Sequence, residues 1–577
     1  MNLAPIPNHG PSLRAIEVGL TAIAVAVALC LPRLGSTFFL RIEHRLGKLA
    51  RKQGLAVAVV GFTTLLLRLA ILPLIPIPKP FIQDDFSFLL AADTFASGRL
   101  TNPTPAMWTH FESVHITMKP TYMSMYFPAQ GLVLAAGEVL FGHPWYGLLC
   151  VSALMCAAIC WMLQAWVPPS WALLGGMVAV LHLGLFSYWI NTYTGAGSIA
   201  ALGGALVLGA FPRFTKTVRL RYSMLLAFGV MLLAISRPYD GILLCLPVGG
   251  ALGNWMFFGK NRPAAALLFH RTAVPLALFV GVGAWMAYYD YRAFGDPLTL
   301  PYTVNRNTYA MAPYFIWQSQ RPEPAYRHKA MRDFYYHDEL RGFEKIHSVH
   351  GYVSQILFRP LMGILFFGGI ALLPPLIMLR RVLMDRRIRF LVLCIAVLMA
   401  GTMIEIFLFP HYLAAFTAVF YAIGLQAMRH LRLWGLGGQP VGMMSVRLMV
   451  LLCFVLAGLR AFAVPLHLGL DEWPTAGWVF SWYGPGHFGT ERAHIEAELE
   501  QLSGRQLVIV RYSPGHNPSF NEWVYNAADI DGSKVIWAHE MGPANDLELI
   551  HYYKDRRVWL VQPDTTPAQV SPYTLSR

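Results

Sequence analysis

The stretch Pro78-Lys79-Pro80-Phe81-Ile82-Gln83-Asp84-Asp85-Phe86 places two adjacent carboxylates directly after a long apolar run. Ionised groups are costly beside lipid, and these two stand where a helix is predicted to begin. An aspartate at that point can simply cap free N–H groups and complement the helix dipole. That role accounts for one aspartate well and for the second less well, because successive helical residues point about 100° apart. One of the pair can face a reactant while the other caps, binds a cation or orients a neighbour. His110, Glu112, His115 and Lys119 follow in the same segment. His110-x-Glu112-x-x-His115 could ligate a divalent metal or be an ordinary polar loop, and its spacing is not that of a helical HExxH site.

The elements that must position these residues lie in a membrane. The chain has 577 residues, 56% of them hydrophobic and only 13% charged, against about 25% charged in a soluble chain. This composition excludes a disordered, collagenous or disulfide-scaffold protein and implies a polytopic α-helical membrane protein. Apolar runs of spanning length are predicted near 15–32, 55–77, 146–165, 171–190, 196–212, 222–237, 241–258, 272–289, 353–379, 390–409, 412–428 and 448–466, about twelve transmembrane helices. The first has only Arg14 before it, so it is expected to remain rather than be cleaved as a signal. Five inter-span segments hold 21 basic residues, among them Arg45, Arg213, Lys260, Arg386 and Arg432, against the acids Glu43 and Asp385. With twelve spans all five fall on one side, which the positive-inside rule makes cytoplasmic. The net charge of +14 is therefore an orientation signal and gives no reason to expect a nucleic acid. All seven cysteines fall inside predicted spans.

The opposite side then carries an outer loop near 78–127, another near 290–351, and a small extracytoplasmic domain over 467–577. Residues 128–142 are apolar but too short to cross, and are predicted to form a helix at the outer membrane surface. In the C-terminal domain, helices near 489–502 and 544–554 alternate with strands near 506–512, 534–539 and 557–562, a pattern that predicts a small α/β layer with parallel strands. It shows no phosphate loop, nucleophile elbow or metal spacing. Arg511, His516, Glu522 and Asp531 are its candidate binding residues, with capping or solvated roles as the alternative. Within the membrane, Arg68 and Glu405 are expected to form an interhelical pair or to line a lipid pocket. The 290–351 loop is rich in aromatic residues, Tyr302, Tyr309, Tyr314, Trp317, Tyr326, Tyr335 and Tyr336 among them, which suit either sugar stacking or a belt at the headgroups.

Several blocks of residues resemble a known group. They are the Asp84-Asp85 pair after a span, Lys119-Pro120-Thr121 before a short helix, Tyr188-Trp189-Ile190-Asn191-Thr192-Tyr193, Ser236-Arg237-Pro238-Tyr239-Asp240-Gly241, Phe294-Gly295-Asp296-Pro297 and Pro410-His411-Tyr412. Together they resemble the GT-C class of integral-membrane glycosyltransferases, in its polyprenyl-phosphate-mannose mannosyltransferase and aminoarabinose-transferase-like branch. The resemblance covers roughly 55–430. It departs from the group in having Asp-Asp where Asp-Glu is common, Lys-Pro-Thr for Lys-Pro-Pro, His411-Tyr412 for Arg-Tyr, and an added first span.

The resemblance implies a GT-C-like transmembrane domain over 55–466, preceded by an extra span and basic segment over 1–54. It implies a sugar donor whose polyprenyl-phosphate tail stays in the bilayer, an envelope glycan, lipid or protein as acceptor, and inverting transfer at the outer face of a bacterial-type inner membrane. A carboxylate can then serve as general base, while basic groups stabilise the leaving phosphate. Asp84 is the favoured base and Asp85 its partner or alternate. Lys119, Arg237 and His411, with Tyr412, are the candidates for donor phosphate binding. No cofactor is implied with certainty; His110, Glu112 and His115 could meet the acceptor or hold a divalent metal. The rival functions are a lipid-linked-sugar transporter or flippase, a structural or assembly protein, and a ligase-type glycan transferase working through 290–351.

Overall fold

The computed structural model describes residues 11–259, 262–470, 489–519 and 521–574. Lys260 and most of the connection into the C-terminal domain lie outside the described residues. Each of the twelve apolar runs holds a helix, and among the described residues nine helices are long and apolar enough to cross a membrane. Leu13–Cys30 and Gln53–Ala70 come first, and Val441–Ala461 closes the series. Pro144–Leu163, Gly197–Thr217 and the Pro410–Arg432 segment form the interior of the bundle, whereas the 30-residue helix Ala265–Phe294 packs on its periphery. Helix approach is close enough at Gly137 that an added Cβ would lie 2.3 Å from the backbone N of Gly147.

Three of the twelve helices fall short of spanning length, for local reasons. Over 171–190 the helix Pro169–Ala179 passes into a π turn, Val180–Gly184, and the chain then bends into the one-turn helix Tyr188–Asn191. Helix Leu220–Ser236 ends where Pro238, which disfavours helix in the residue before it, starts the next helix Pro238–Phe258. Helix Arg389–Thr402 leaves residues 403–409 irregular, and two of these, Phe407 and Phe409, line the main cavity. Over 353–379 the α-helix ends at Gly368, where Gly369 turns left-handed (φ 63°), and a short 3₁₀ helix, Pro374–Met378, follows. Residues 128–142 form the helix Pro128–Phe141, packed beside Gln83–Ala96 and Pro144–Leu163.

The C-terminal domain is a four-stranded sheet in which Arg505–Val510 pairs in parallel with Val535–His539 on one side and Arg556–Gln562 on the other. A fourth strand, Gln569–Pro572, adds antiparallel to Arg556–Gln562, an edge the periodicity did not announce. Helices Thr490–Gln501 and Pro543–Tyr552 complete the layer. The domain is not a detached appendage. Leu507, Tyr525, Ile536 and Leu549 share one apolar core with Phe86, Leu90, Phe111 and Tyr122, and the Tyr525 ring stacks on Phe86 at 4.3 Å between centroids. Burying large aromatic surfaces of this kind stabilises a contact strongly. Asp93 reinforces it by accepting from the backbone N of Ala528 at 2.7 Å.

Arg68 and Glu405 do not pair. The Arg68 guanidinium donates to the carbonyls of Ile75 and Pro76 and to Asn191 Oδ1, and it lies over Trp145. Glu405 lies beyond the end of its helix, where its backbone carbonyl accepts from Arg359 at 2.6 Å.

Candidate active site

Helix Gln83–Ala96 begins after the extended residue Ile82, so Asp84 and Asp85 both fall in its first turn. The 100° rotation between them separates their surroundings completely. Asp85 turns inward and is 0% exposed. It accepts from the backbone N of Tyr193 at 2.8 Å and from that of Phe81 at 3.3 Å, tying the juxtamembrane stretch to the turn after Tyr188–Asn191. Burial pushes its carboxyl up to about 7, against the opposing pull of those N–H groups. Asp84 turns the other way, keeps 22% of its side-chain surface open, and lines a cavity of about 390 Å³. Its Oδ1 meets His115 Nδ1 at 2.7 Å and accepts from the Tyr126 hydroxyl at 2.5 Å, while Oδ2 accepts from the Thr194 hydroxyl at 2.9 Å. Burial alone would raise its pKa, but these partners, His115 foremost, hold the carboxylate down at about 2.

The carboxylate wall continues through His115. Its backbone is left-handed (φ 63°), a conformation uncommon for a residue with a side chain, and this presents the ring to the cavity. His115 Nε2 lies 3.9 Å from Glu339 Oε1. Both Glu339 oxygens take Arg306 Nη1, at 2.6 and 2.7 Å. Burial disfavours the imidazolium, yet Asp84 and Glu339 outweigh that and raise the His115 pKa. Arg306 comes from helix Pro301–Tyr309 and Glu339 from the π-helical turn Phe334–Leu340, so the 290–351 loop closes this side. Tyr302 and Tyr314 of that loop also line the cavity. Of the other aromatic residues there, Tyr309 and Tyr326 line a different pocket, Tyr335 is buried, and Trp317 is exposed.

Another part of the wall is built from span ends. Arg237 sits between helices Leu220–Ser236 and Pro238–Phe258, donating from Nε to Asp240 Oδ2 at 2.5 Å with its guanidinium 4.1 Å above the Tyr412 ring. His411 Nδ1 pairs with the Tyr188 hydroxyl at 2.7 Å, and the same hydroxyl accepts from the His411 backbone N. The turn that brings Thr194 to Asp84 passes against His411 at Gly195, where φ is 85° and an added Cβ would lie 2.8 Å from the ring. A side chain there would be strained and would collide with the ring.

The cavity thus gathers Asp84, His115, Arg237, His411 and Tyr412. Asp85 stays outside it, as do Lys119, His110 and Glu112. Lys119 Nζ lies over the Trp108 ring at 4.1 Å. His110 pairs with the backbone carbonyl of His539, and Glu112 holds Tyr309 and Arg327. The three residues considered as metal ligands therefore diverge, and among the described residues no group of three or more His, Cys, Asp or Glu side chains could hold a metal ion. In the C-terminal domain Arg511 pairs with Glu540, His516 with Asp564, Glu522 with Tyr512 and Asp531 with Tyr553.

Sequence reasoning missed Tyr126, Thr194, Arg306 and Glu339 as partners in this wall. Tyr126 and Thr194 stand beside noted blocks, but nothing in their spacing points at Asp84. Arg306 and Glu339 are 33 positions apart, and only the folded loop joins them.

No protein-family model matches this sequence, and no curated protein matches it. Among solved structures it is similar to ArnT from Cupriavidus metallidurans in the apo state, with 12% identity over 88% of this chain and 93% of that one and a TM-score of 0.45. It is also similar to the Archaeoglobus fulgidus oligosaccharyltransferase. The complex with Zn and sulfate is 11% identical over 88% of this chain and 67% of that one, with a TM-score of 0.42. The form tethered to an acceptor peptide containing the NVT sequon is 11% identical over 87% and 68%, with a TM-score of 0.43.

Proposed function

We propose that this protein is a membrane glycosyltransferase that moves a sugar from a polyprenyl-phosphate donor to a hydroxyl of an envelope acceptor. The observation that carries the reading is one cavity lined by both the Asp84 carboxylate and the Arg237 cation. A donor whose tail lies among the helices would bring its phosphate to Arg237, with His411 and Tyr412 beside it. The acceptor would enter from the loops and place its hydroxyl at Asp84. The hydroxyl oxygen bonds to the anomeric carbon from the face opposite the phosphate, and the carbon–oxygen bond to phosphate breaks with its electron pair leaving on the polyprenyl phosphate. Inversion follows. The hydroxyl proton passes to Asp84.

A carboxylate held at about 2 is a weak base, which suits a transfer that occurs late. Once its oxygen has bonded to carbon the hydroxyl is strongly acidic, and an ionised, correctly oriented acceptor suffices. Arg237 offsets the charge that grows on the phosphate, and the cavity holds both reactants in line. Asp240 holds Arg237 in place.

Transfer of radiolabelled sugar from a polyprenyl-phosphate donor, measured in membranes carrying Asp84→Asn, tests the reading: expression and insertion persist and transfer is lost, and full transfer would overturn it. A chelator added to the wild-type assay tests for a divalent cation. The reading also places the loops and the C-terminal domain outside a bacterial-type inner membrane. A cysteine at position 83 is then labelled by an impermeant reagent from the outer side, and labelling from the cytoplasm alone would refute that placement. A second reading, ligase-type transfer of a whole glycan, draws on Arg306 and Glu339, because the 290–351 loop supplies them to the cavity. It predicts transfer from a lipid-linked oligosaccharide in preference to a lipid-linked monosaccharide.

A further inference from the structure

The loop that presents His115 to the main cavity has a second face. Residues 108–119 and 308–331 enclose a separate cavity of about 350 Å³. It lies back to back with the first across helix Pro301–Tyr309, from which Arg306 faces the main cavity and Tyr309 this one. Its walls include Trp108, Glu112, Lys119, Tyr309, Tyr326 and Arg327. Glu112 is only 2% exposed, yet its carboxylate is at the pocket, accepting from the Tyr309 hydroxyl at 3.1 Å and from Arg327 Nη1 at 3.2 Å. Lys119 Nζ lies 4.1 Å and the Arg327 guanidinium 4.6 Å from the centre of the same Trp108 ring. Glu112 balances the charge of Arg327. Lys119 has no carboxylate within ion-pair distance among the described residues, although its charge acts on Glu112, so the three groups leave the pocket one net positive charge beside a buried carboxylate.

We propose that this pocket binds an anionic sugar, a uronic acid or a sugar phosphate, as a part of the acceptor remote from the hydroxyl that reacts. The ammonium of Lys119 supplies the attraction for the anion. A bare anion fits poorly, because the Glu112 carboxylate on the same wall repels it. A sugar answers both groups at once: its acidic substituent meets Lys119, and its ring hydroxyls donate to Glu112 and to the Tyr309 and Tyr326 oxygens, whose own protons are taken by Glu112 and the Tyr309 carbonyl. Charge and hydroxyls are read together, which gives selectivity that neither gives alone. The assignment to the acceptor rests on the transferase reading; the binding itself does not.

The test uses the full chain in detergent, with ligand binding followed by saturation-transfer NMR. Glucuronate and glucose 6-phosphate are the probes, and glucose and inorganic phosphate the controls. The anionic sugars are expected to bind at least tenfold more tightly than either control, and Lys119→Glu, an exposed substitution, to weaken them at least tenfold. Failure of both anionic sugars to bind, indifference to Lys119→Glu, or inorganic phosphate binding as tightly as the sugars would each overturn the proposal. Asp84→Asn is expected to bind both probes like the wild type. Transfer surviving in Asp84→Asn would remove the catalytic reading and leave the pocket result standing, so the two failures are distinguishable.

Discussion

The two walls of the main cavity are made by different means. The cation wall is assembled from the ends of spans: Arg237 from the break between two helices, and His411 and Tyr412 from the start of the Pro410–Arg432 segment. Each is fixed by where a helix must stop or start. The carboxylate wall is a chain of side chains drawn from four distant segments, running from Thr194 and Asp84 through His115 to Glu339 and Arg306. No single element holds it. The first kind of wall tolerates drift in the loops. The second depends on every segment arriving together, including the C-terminal domain whose Tyr525 backs Phe86 in the Asp84 helix.

Substitutions can break each wall separately. The largest effect is expected for Asp84→Asn, which removes the proposed proton acceptor and should lower the transfer rate by about 10³-fold without loss of membrane insertion. Arg237→Ala attacks the other wall and should cost about 10²-fold in rate, with Arg237→Lys recovering part of it; equal activity in Arg237→Ala would remove the cation wall from the mechanism.

Asp85→Asn sharpens the contrast between the two aspartates, because it should leave transfer largely intact and change stability instead. The folded protein holds Asp85 protonated up to about 7, while an ordinary aspartate titrates at 3.8. A raised carboxyl contributes its full stability below the ordinary value and loses it as pH climbs through the folded one. Thermal inactivation of the wild type should therefore quicken between about pH 4 and pH 7, and asparagine, which cannot ionise, should flatten that part of the curve.

Tyr126→Phe is the gentlest test. It removes one of the three donors on Asp84, so the carboxylate pKa rises from about 2 and the rate should change by only about tenfold, the lower end of what one hydrogen bond to a charged group contributes. A loss as large as that of Asp84→Asn would mean that the phenol itself touches the reactants.

Much of this was legible in the residues. Twelve apolar runs located twelve helices because a membrane demands length and apolarity wherever it is crossed. The rotation between adjacent helical residues already required Asp84 and Asp85 to differ. Lys119 shows the limit: its position in the segment fits a phosphate ligand, but the loop folds it onto Trp108 in another pocket. The His110-Glu112-His115 run shows the same limit, for the backbone between them sends the three side chains to three different partners.

The sequence by itself determined the membrane class, the places of the apolar helices, the break at Arg237-Pro238 and the α/β character of the C-terminal domain. These follow from hydropathy, periodicity and the stereochemistry of proline, all of which act over a few residues. The tertiary structure alone decided which aspartate opens to the cavity, that His115, Glu339 and Arg306 stand behind it, and that the C-terminal sheet supports its helix. Those outcomes depend on contacts between segments tens to hundreds of positions apart, and the spacing of residues along a chain carries no record of such contacts.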